Sequence, residues 1–403
     1  MTNVVKTFTY RLSKQEPIFL FACIFSLFLL SMLIWIGWND DVRKRIEIII
    51  IIFMILYVIL NRVPLVFSMQ NIISLCVMFI AYIYINDWNG IRFLFPCTIF
   101  LLLNDNDRKS CLAHIYKWYA WLMIPSIITY FLVQFIGIPS FGNLNFEGND
   151  LMGWAYSHRQ NYIFYAYSDF YNIRFNGPFL EPGHLGMISS LLLFATGIEL
   201  EKKETWIIII SLILSLSLAG YILFFVAFLF SRYLKKLISL KYSLLSLLVI
   251  VVIYIGGILY NNGDNLLNEN IFSRMEADQE KGISGNNRSS GLFLDYYSTL
   301  WENKKRLIWG IGRKEMRVIK ESHLGGGIGF EVWMVTYGLV GTIFALLFYF
   351  SFFVLDKKKR IAGLFLIYIT LMFLQRTYPF WYSWIICYVF GITYYKDEIM
   401  AQK

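Results

Sequence analysis

The chain has 403 residues, of which 58% are apolar and only 16% charged, and its mean hydropathy is +0.56. Ordinary soluble proteins run at roughly 45–50% apolar and about 25% charged, so these figures exclude a soluble fold, a disordered chain, a collagen, a coiled coil and a disulfide-stapled secreted module. The formal net charge of +9 would suggest nucleic acid in a soluble protein; in a membrane protein, Lys and Arg mark the cytoplasmic ends of the helices.

About 20 apolar residues cross the hydrocarbon core as a helix. On that measure the sequence predicts an all-α, polytopic integral membrane protein with about 12 transmembrane helices, at 17–37, 45–60, 63–85, 91–103, 114–137, 184–200, 205–218, 219–234, 243–260, 328–355, 360–374 and 379–395. The whole of 1–403 reads as one membrane domain, interrupted by two segments too polar for lipid, 138–183 and 261–327. The first span ends in Trp35-Ile-Gly-Trp38 without a small-x-small cleavage site and reads as an anchor. With the N-terminus inside, 19 of the 36 basic residues fall in inner segments. Five, namely Arg43, Lys44, Arg45, Arg92 and Arg376, fall in short outer loops, where the triplet Arg43–Arg45 runs against the charge rule. The two long segments are then expected on the outer side.

The stretch from Trp206 to Phe230 reads either as one long helix or as two short ones. Lys202–Lys203 and Arg232–Lys236 flank it, and both groups belong on the cytoplasmic side. The chain must therefore cross an even number of times, which predicts two short helices meeting near Ser217–Gly220. Cys23, Cys76, Cys97, Cys111 and Cys387 lie in spans or in an inner loop, so no disulfide is expected, and no Cys/His spacing suits zinc.

Between Phe141 and Phe179 the first long segment carries twelve aromatic residues. Rings at that density are expected either to lie at the membrane interface as an aromatic belt or to form a lid facing a sugar. Its end is Arg174-Phe-Asn-Gly177-Pro-Phe-Leu-Glu181-Pro182-Gly-His184-Leu-Gly186. Pro182 suits the first turn of a helix, where its missing N–H costs nothing. Glu181 then stands at a helix start whose free N–H groups and dipole favour an anion such as a diphosphate. Glu181 and His184 share a face, and Glu181 is a candidate either to take a proton or to hold Arg174. In the second segment, Arg288 precedes an amphipathic helix from Leu292 to Trp301, followed by Gly310-Ile-Gly312, a loop with His323, and Gly338-Leu-Val-Gly341 in the next span. Gly310–Gly312 is no nucleotide fingerprint, since no strand–turn–helix surrounds it. Asp105-Asn-Asp107 reads as a solvated turn.

These residues resemble the O-antigen polymerase and ligase family of bacterial surface-polysaccharide assembly. The resemblance rests on Arg174-x-x-Gly177…Glu181-Pro182…Gly186, on Arg288 with the aromatic helix and Gly310-x-Gly312, and on Gly338-Leu-x-Gly341, and in order it covers nearly the whole chain. It implies a GT-C-like glycosyltransferase working at the periplasmic face of the inner membrane, without a metal or other cofactor. It also implies that Arg174 and Arg288 grip the diphosphate of the donor, with Glu181, His184 and His323 as candidate bases. Ligases place a histidine eleven residues before the first glycine of Gly-x-x-Gly; that position is Gly327 here, and His323 stands four residues earlier. The expected function is therefore a polymerase that joins undecaprenyl-diphosphate-linked oligosaccharide repeat units into O-antigen or capsule-like polysaccharide. The alternatives are a ligase of the same family and a lipid-linked sugar flippase or transporter, though a flippase needs charges inside its spans and these carry almost none. The expected partners are the lipid-linked oligosaccharide, membrane lipid, a chain-length regulator and a flippase, with no nucleic acid.

Overall fold

The computed structural model describes residues 16–36, 39–86, 91–147, 156–168, 173–235, 277–278, 282–283, 291–321, 329–356 and 359–401. Arg288, His323 and the expected span at 243–260 lie outside these residues. In chain order the helices are α1 (Ile18–Leu30), α2 (Asp40–Leu60), α3 (Met69–Asn86), α4 (Leu94–Leu102), α5 (Asp105–Phe131), α6 (Pro182–Ala195), α7 (Lys203–Leu214) and α8 (Leu218–Leu234), then α9 (Gly291–Ser298), α10 (Lys304–Trp309), α11 (Gly312–Glu321), α12 (Gly329–Leu355), α13 (Lys359–Gln375) and α14 (Tyr382–Ala401).

Two helical stretches are long and apolar enough to cross a membrane, Asp105–Ile136 with 32 residues and Gly329–Leu355 with 27, and shorter apolar helices accompany them. On α2, Ile48, Ile49, Ile52, Phe53 and Leu56 all face outward and are exposed. A continuous apolar stripe of that kind is costly in water and suits hydrocarbon. Polar side chains mark the helix starts: Asn39 accepts from Val42 N at 3.0 Å before α2, and Asn104 from Asp107 N at 3.0 Å before α5, each satisfying one of the donors a helix N-terminus leaves over.

Contacts along the helices fix their directions. Gly186 on α6 meets Gly220 on α8, and the same number of residues further along both, Ser231 Oγ donates to Gly197 O at 2.7 Å. These two helices therefore run parallel. They approach closely because neither carries a Cβ at the crossing, and one added to Gly186 would stand 3.2 Å from Gly220 Cα. The helix between them, α7, runs the other way. Its Thr205 Oγ1 reaches Glu199 O just beyond α6, and its last residue, Leu214, accepts from Phe175 N at 3.0 Å just before α6. Residues 205–234 are thus two antiparallel helices, the arrangement the sequence led us to expect. The break lies at Ser215–Ser217, where Ser217 caps α8 by accepting from Gly220 N at 3.2 Å.

The C-terminal helices alternate in the same way. Thr377 Oγ1, just past α13, donates to Gly329 O at the start of α12 at 3.0 Å, and the far end of α14 joins that of α6 through Tyr395 Oη and Phe194 O at 3.0 Å. The start of α6, the end of α13 and the starts of α12 and α14 consequently share one end of the bundle.

The two long segments contain small sheets beside their helices. In the first, β1 (Asn143–Glu147), β2 (Tyr156–Asn161) and β3 (Ala166–Tyr167) form an antiparallel sheet in that order; in the second, β4 (Ala277–Asp278) pairs with β5 (Gly282–Ile283). The reading of the first segment's aromatics needs correction for four of them. Tyr162, Tyr165, Phe175 and Phe179 are buried in the helical core: Tyr165 stacks on Phe175, and Phe179 on Tyr119 of α5. They form neither an interfacial belt nor a sugar-facing lid. Their burial fastens the segment to the bundle, and Arg159 of β2 adds a hydrogen bond to Leu180 O.

The two glycine motifs meet. A Cβ on Gly310 would stand 2.4 Å from Thr336 O, and one on Gly338 would stand 2.5 Å from Ile308 O. Both glycines hold positive φ, +69° and +62°, and at Gly338 the helix α12 breaks into two halves. The end of α10 thus crosses α12 backbone to backbone, and Ile311 N seals the crossing by donating to Val335 O at 2.9 Å. No residue with a side chain fits either position without strain. The crossing sets Arg313 at the start of α11 beside Tyr337, to whose Oη its Nε donates at 2.6 Å.

Candidate functional site

Helix α6 opens with Pro182 in its first turn, as expected, and Glu181 as its N-cap in extended backbone. The Glu181 side chain makes no cap bond. It reaches instead to Arg376, the residue directly after α13, whose Nη2 donates to Glu181 Oε2 while Nη1 lies 3.0 Å from His184 Nε2. Because the guanidinium has only donors, His184 Nε2 is the acceptor, which places the imidazole proton on Nδ1. The Arg376 and Glu181 side chains are only 7% and 16% exposed, and His184 is buried. Gly183 makes the approach possible, since a Cβ there would sit 2.8 Å from Arg376 Nη2.

Burial opposes the charge on Arg376, but the adjacent Glu181 carboxylate more than reverses this and holds the guanidinium above its ordinary value. The acidic member of the pair stands at the positive end of the α6 dipole, which favours it there.

Beyond Arg376 the chain turns through Tyr378 and Trp381, whose rings stack at 4.0 Å with 2° between their planes. The His184 ring meets both edge-on, at 6.0 and 5.2 Å. Tyr378 and Trp381 also line a cavity of about 340 Å³, together with three arginines: Arg43 from the first turn of α2, Arg92 just before α4, and Arg313. Glu47, buried on α2, accepts from Arg92 Nε at 2.7 Å and from the Tyr382 hydroxyl. Aromatic rings complete the wall. Tyr82 and Phe93 stack at 4.8 Å, and Phe93 stacks in turn on Tyr382 at 4.8 Å.

Of the residues singled out in the sequence, Glu181 and His184 come together, and both touch Arg376. Arg174 stands at the other end of the same loop, its Nε donating to Ser215 O at 3.3 Å at the break between α7 and α8. The clamp on Glu181 is therefore supplied by Arg376, where the sequence suggested Arg174. Arg288 and His323 lie outside the described residues.

Sequence reasoning missed Arg376, Arg43, Arg92, Arg313 and Glu47. A signal for three of them was present: Arg43, Arg92 and Arg376 are among the five basic residues that the charge rule leaves on the outer side. Chemically, the cavity offers planar guanidinium forks for an anion and ring faces for the C–H surfaces of a sugar. The buried cluster beside it holds a carboxylate in a fixed orientation. No protein-family model matches the chain, and no curated protein matches it.

Proposed function

We propose that the chain is a metal-independent membrane glycosyltransferase that crosses the inner membrane about twelve times and joins undecaprenyl-diphosphate-linked oligosaccharide repeat units at the periplasmic face. The observation that carries this reading is the placement of an arginine-lined, aromatic-walled cavity against the Glu181–Arg376–His184 cluster at one end of an apolar helix bundle. A diphosphate-linked sugar needs cationic donors for the leaving group, ring faces for the saccharide and one carboxylate, and all three are at hand there. The order of motifs along the chain, which resembles the polymerases, supports the same reading.

In the reaction, an acceptor hydroxyl attacks the anomeric carbon of the donor, the bond from that carbon to the phosphate oxygen breaks, and the hydroxyl proton passes to the Glu181 carboxylate. The diphosphate leaves with an added negative charge, and arginines fixed in advance around it stabilise that charge as it develops. Arg376 and His184 are positioning residues. His184 Nε2 already accepts from the guanidinium, so it is poorly disposed to receive the proton itself. Arg174 and, by resemblance, Arg288 take part in gripping a diphosphate.

Glu181→Gln keeps the size and a hydrogen-bonding oxygen but removes the proton acceptor. In cells lacking their own polymerase it is expected to leave the protein in the membrane at normal level and to abolish the ladder of long polysaccharide chains. A general base contributes roughly 10²–10⁴-fold, enough to erase the ladder. Ladders of wild-type length from this variant would remove Glu181 from the chemistry.

A further inference from the structure

The second long segment returns to the bundle through two short, charged helices, α10 and α11. Across residues 304–320, seven of the seventeen residues are basic and one, Glu315, is acidic. Glu315 pairs with Arg306 at 3.7 Å and so ties α11 to α10. Lys304, Lys305 and Lys314 are exposed. The apolar residues of these helices divide into two sets. Met316 and Ile319 are buried, Met316 in a cluster with Met334 and Val335 of α12. Ile308, Trp309 and Val318 stand exposed among the charges instead.

The height of α10 and α11 on the bundle accounts for the exposed set. Leu339, Ile343, Phe350 and Val354 of α12 are all exposed, and at those spacings they lie on one face of the helix, an apolar stripe that suits lipid. The stripe opens one residue after Gly338, where α10 crosses, and closes before the basic run Lys357-Lys-Lys-Arg360. From Gly338 to Leu355 is about 25 Å of helix, close to the hydrocarbon thickness of about 30 Å. The crossing therefore sits at the edge of the hydrocarbon, at the end of the bundle that holds Arg376. We infer that α10 and α11 form a membrane-surface anchor for anionic phospholipid, with Ile308, Trp309 and Val318 in the acyl boundary and the lysines among the headgroups. Basic helices with an exposed tryptophan are suited to the interfacial plane. An acidic protein is the rival partner for so many cations. The exposed apolar residues favour lipid, because they continue the α12 stripe, which faces lipid tails. The anchor is independent of the reaction proposed for the cavity. It gives α11, which brings Arg313 to the cavity wall, a hold besides the glycine crossing.

The test is amide hydrogen exchange of the full chain in nanodiscs of phosphatidylcholine, with and without phosphatidylglycerol. In the wild type, the amides of α10 and α11 are expected to exchange about tenfold more slowly when phosphatidylglycerol is present, since each basic residue at an anionic surface strengthens the hold. Those of α5 are expected to exchange alike in both lipids. The triple variant Lys304→Gln, Lys305→Gln and Lys314→Gln changes only exposed side chains. It is expected to abolish the phosphatidylglycerol effect while α5 and α12 exchange as in the wild type. Trp309→Ser is expected to speed exchange in α10 and α11 in both kinds of disc and to keep the difference between them. Equal exchange of wild-type α10 and α11 in the two lipids would overturn the inference in favour of an acidic protein partner. An undiminished phosphatidylglycerol effect in the triple variant, or unchanged exchange in Trp309→Ser, would overturn it as well.

Discussion

Arg376→Ala is expected to stop chain extension and to lower the thermal stability of the purified protein. Removing the guanidinium leaves Glu181, only 16% exposed, and His184, fully buried, without the group that holds them together. Breaking one side of a buried pair costs about 3–5 kcal/mol, because the remaining charge stays desolvated. Arg376→Lys is expected to fail as well. One guanidinium reaches Glu181 and His184 through two different nitrogens, and a single ammonium does not reproduce that planar fork. Function and folding separate in the double variant Arg376→Met with Glu181→Leu. Replacing both members by apolar groups is often neutral for stability, so its melting temperature in detergent should return towards wild type while polymerisation stays absent. A double variant as unstable as Arg376→Ala would mean that the pair is not the source of the loss.

Gly310→Ala carries the second large effect. Its methyl would stand 2.4 Å from Thr336 O while the backbone at Gly310 holds φ +69°. Both the contact and the dihedral reject it, and overpacking alone costs typically 1–3 kcal/mol. The atoms it meets are backbone at the break of α12, so relief requires α10 to move off α12, carrying Arg313 away from Tyr337 and the cavity. The expected outcome is a protein that inserts in the membrane at reduced level and elongates poorly. Gly312→Ala is the control: a Cβ there meets nothing within 4 Å, though φ is +83°. It should cost only the backbone strain, about 1–2 kcal/mol. Equal expression and equal chain length for Gly310→Ala and Gly312→Ala would contradict the crossing.

Among the described residues most apolar helices were legible, because runs of apolar residues broken by polar ones leave few other choices, whereas the short, charged α10 and α11 carry no such run and were not expected. The start of α6 was legible from Pro182 alone. The antiparallel pair α7–α8 was expected from charge parity, since lysines at both ends of one stretch are expected on the same side. What pairs with Glu181 was not legible. Arg376 lies 195 residues downstream, and in a tally of charges it counts only as a mark of sidedness. The same tally contained the clue, since basic residues left on the wrong side have a reason to be there, and three of the five gather at or beside the cavity. The aromatic segment misled for a different reason. Density of rings does not distinguish those that anchor a loop, such as Phe175 and Phe179, from those that face a ligand. The glycine motifs were visible, but a close crossing involves two backbones, and each motif shows only one of them.

Reconstituted elongation tests the central claim most directly: purified chain in liposomes, given a polyprenyl-diphosphate-linked repeat unit and no other enzyme. The account predicts a ladder of products spaced by one repeat, with free polyprenyl diphosphate released for every repeat added, and no ladder from Glu181→Gln or Arg376→Ala. A wild-type preparation that binds the lipid-linked unit and releases no polyprenyl diphosphate, or that moves it intact across the bilayer, would contradict it.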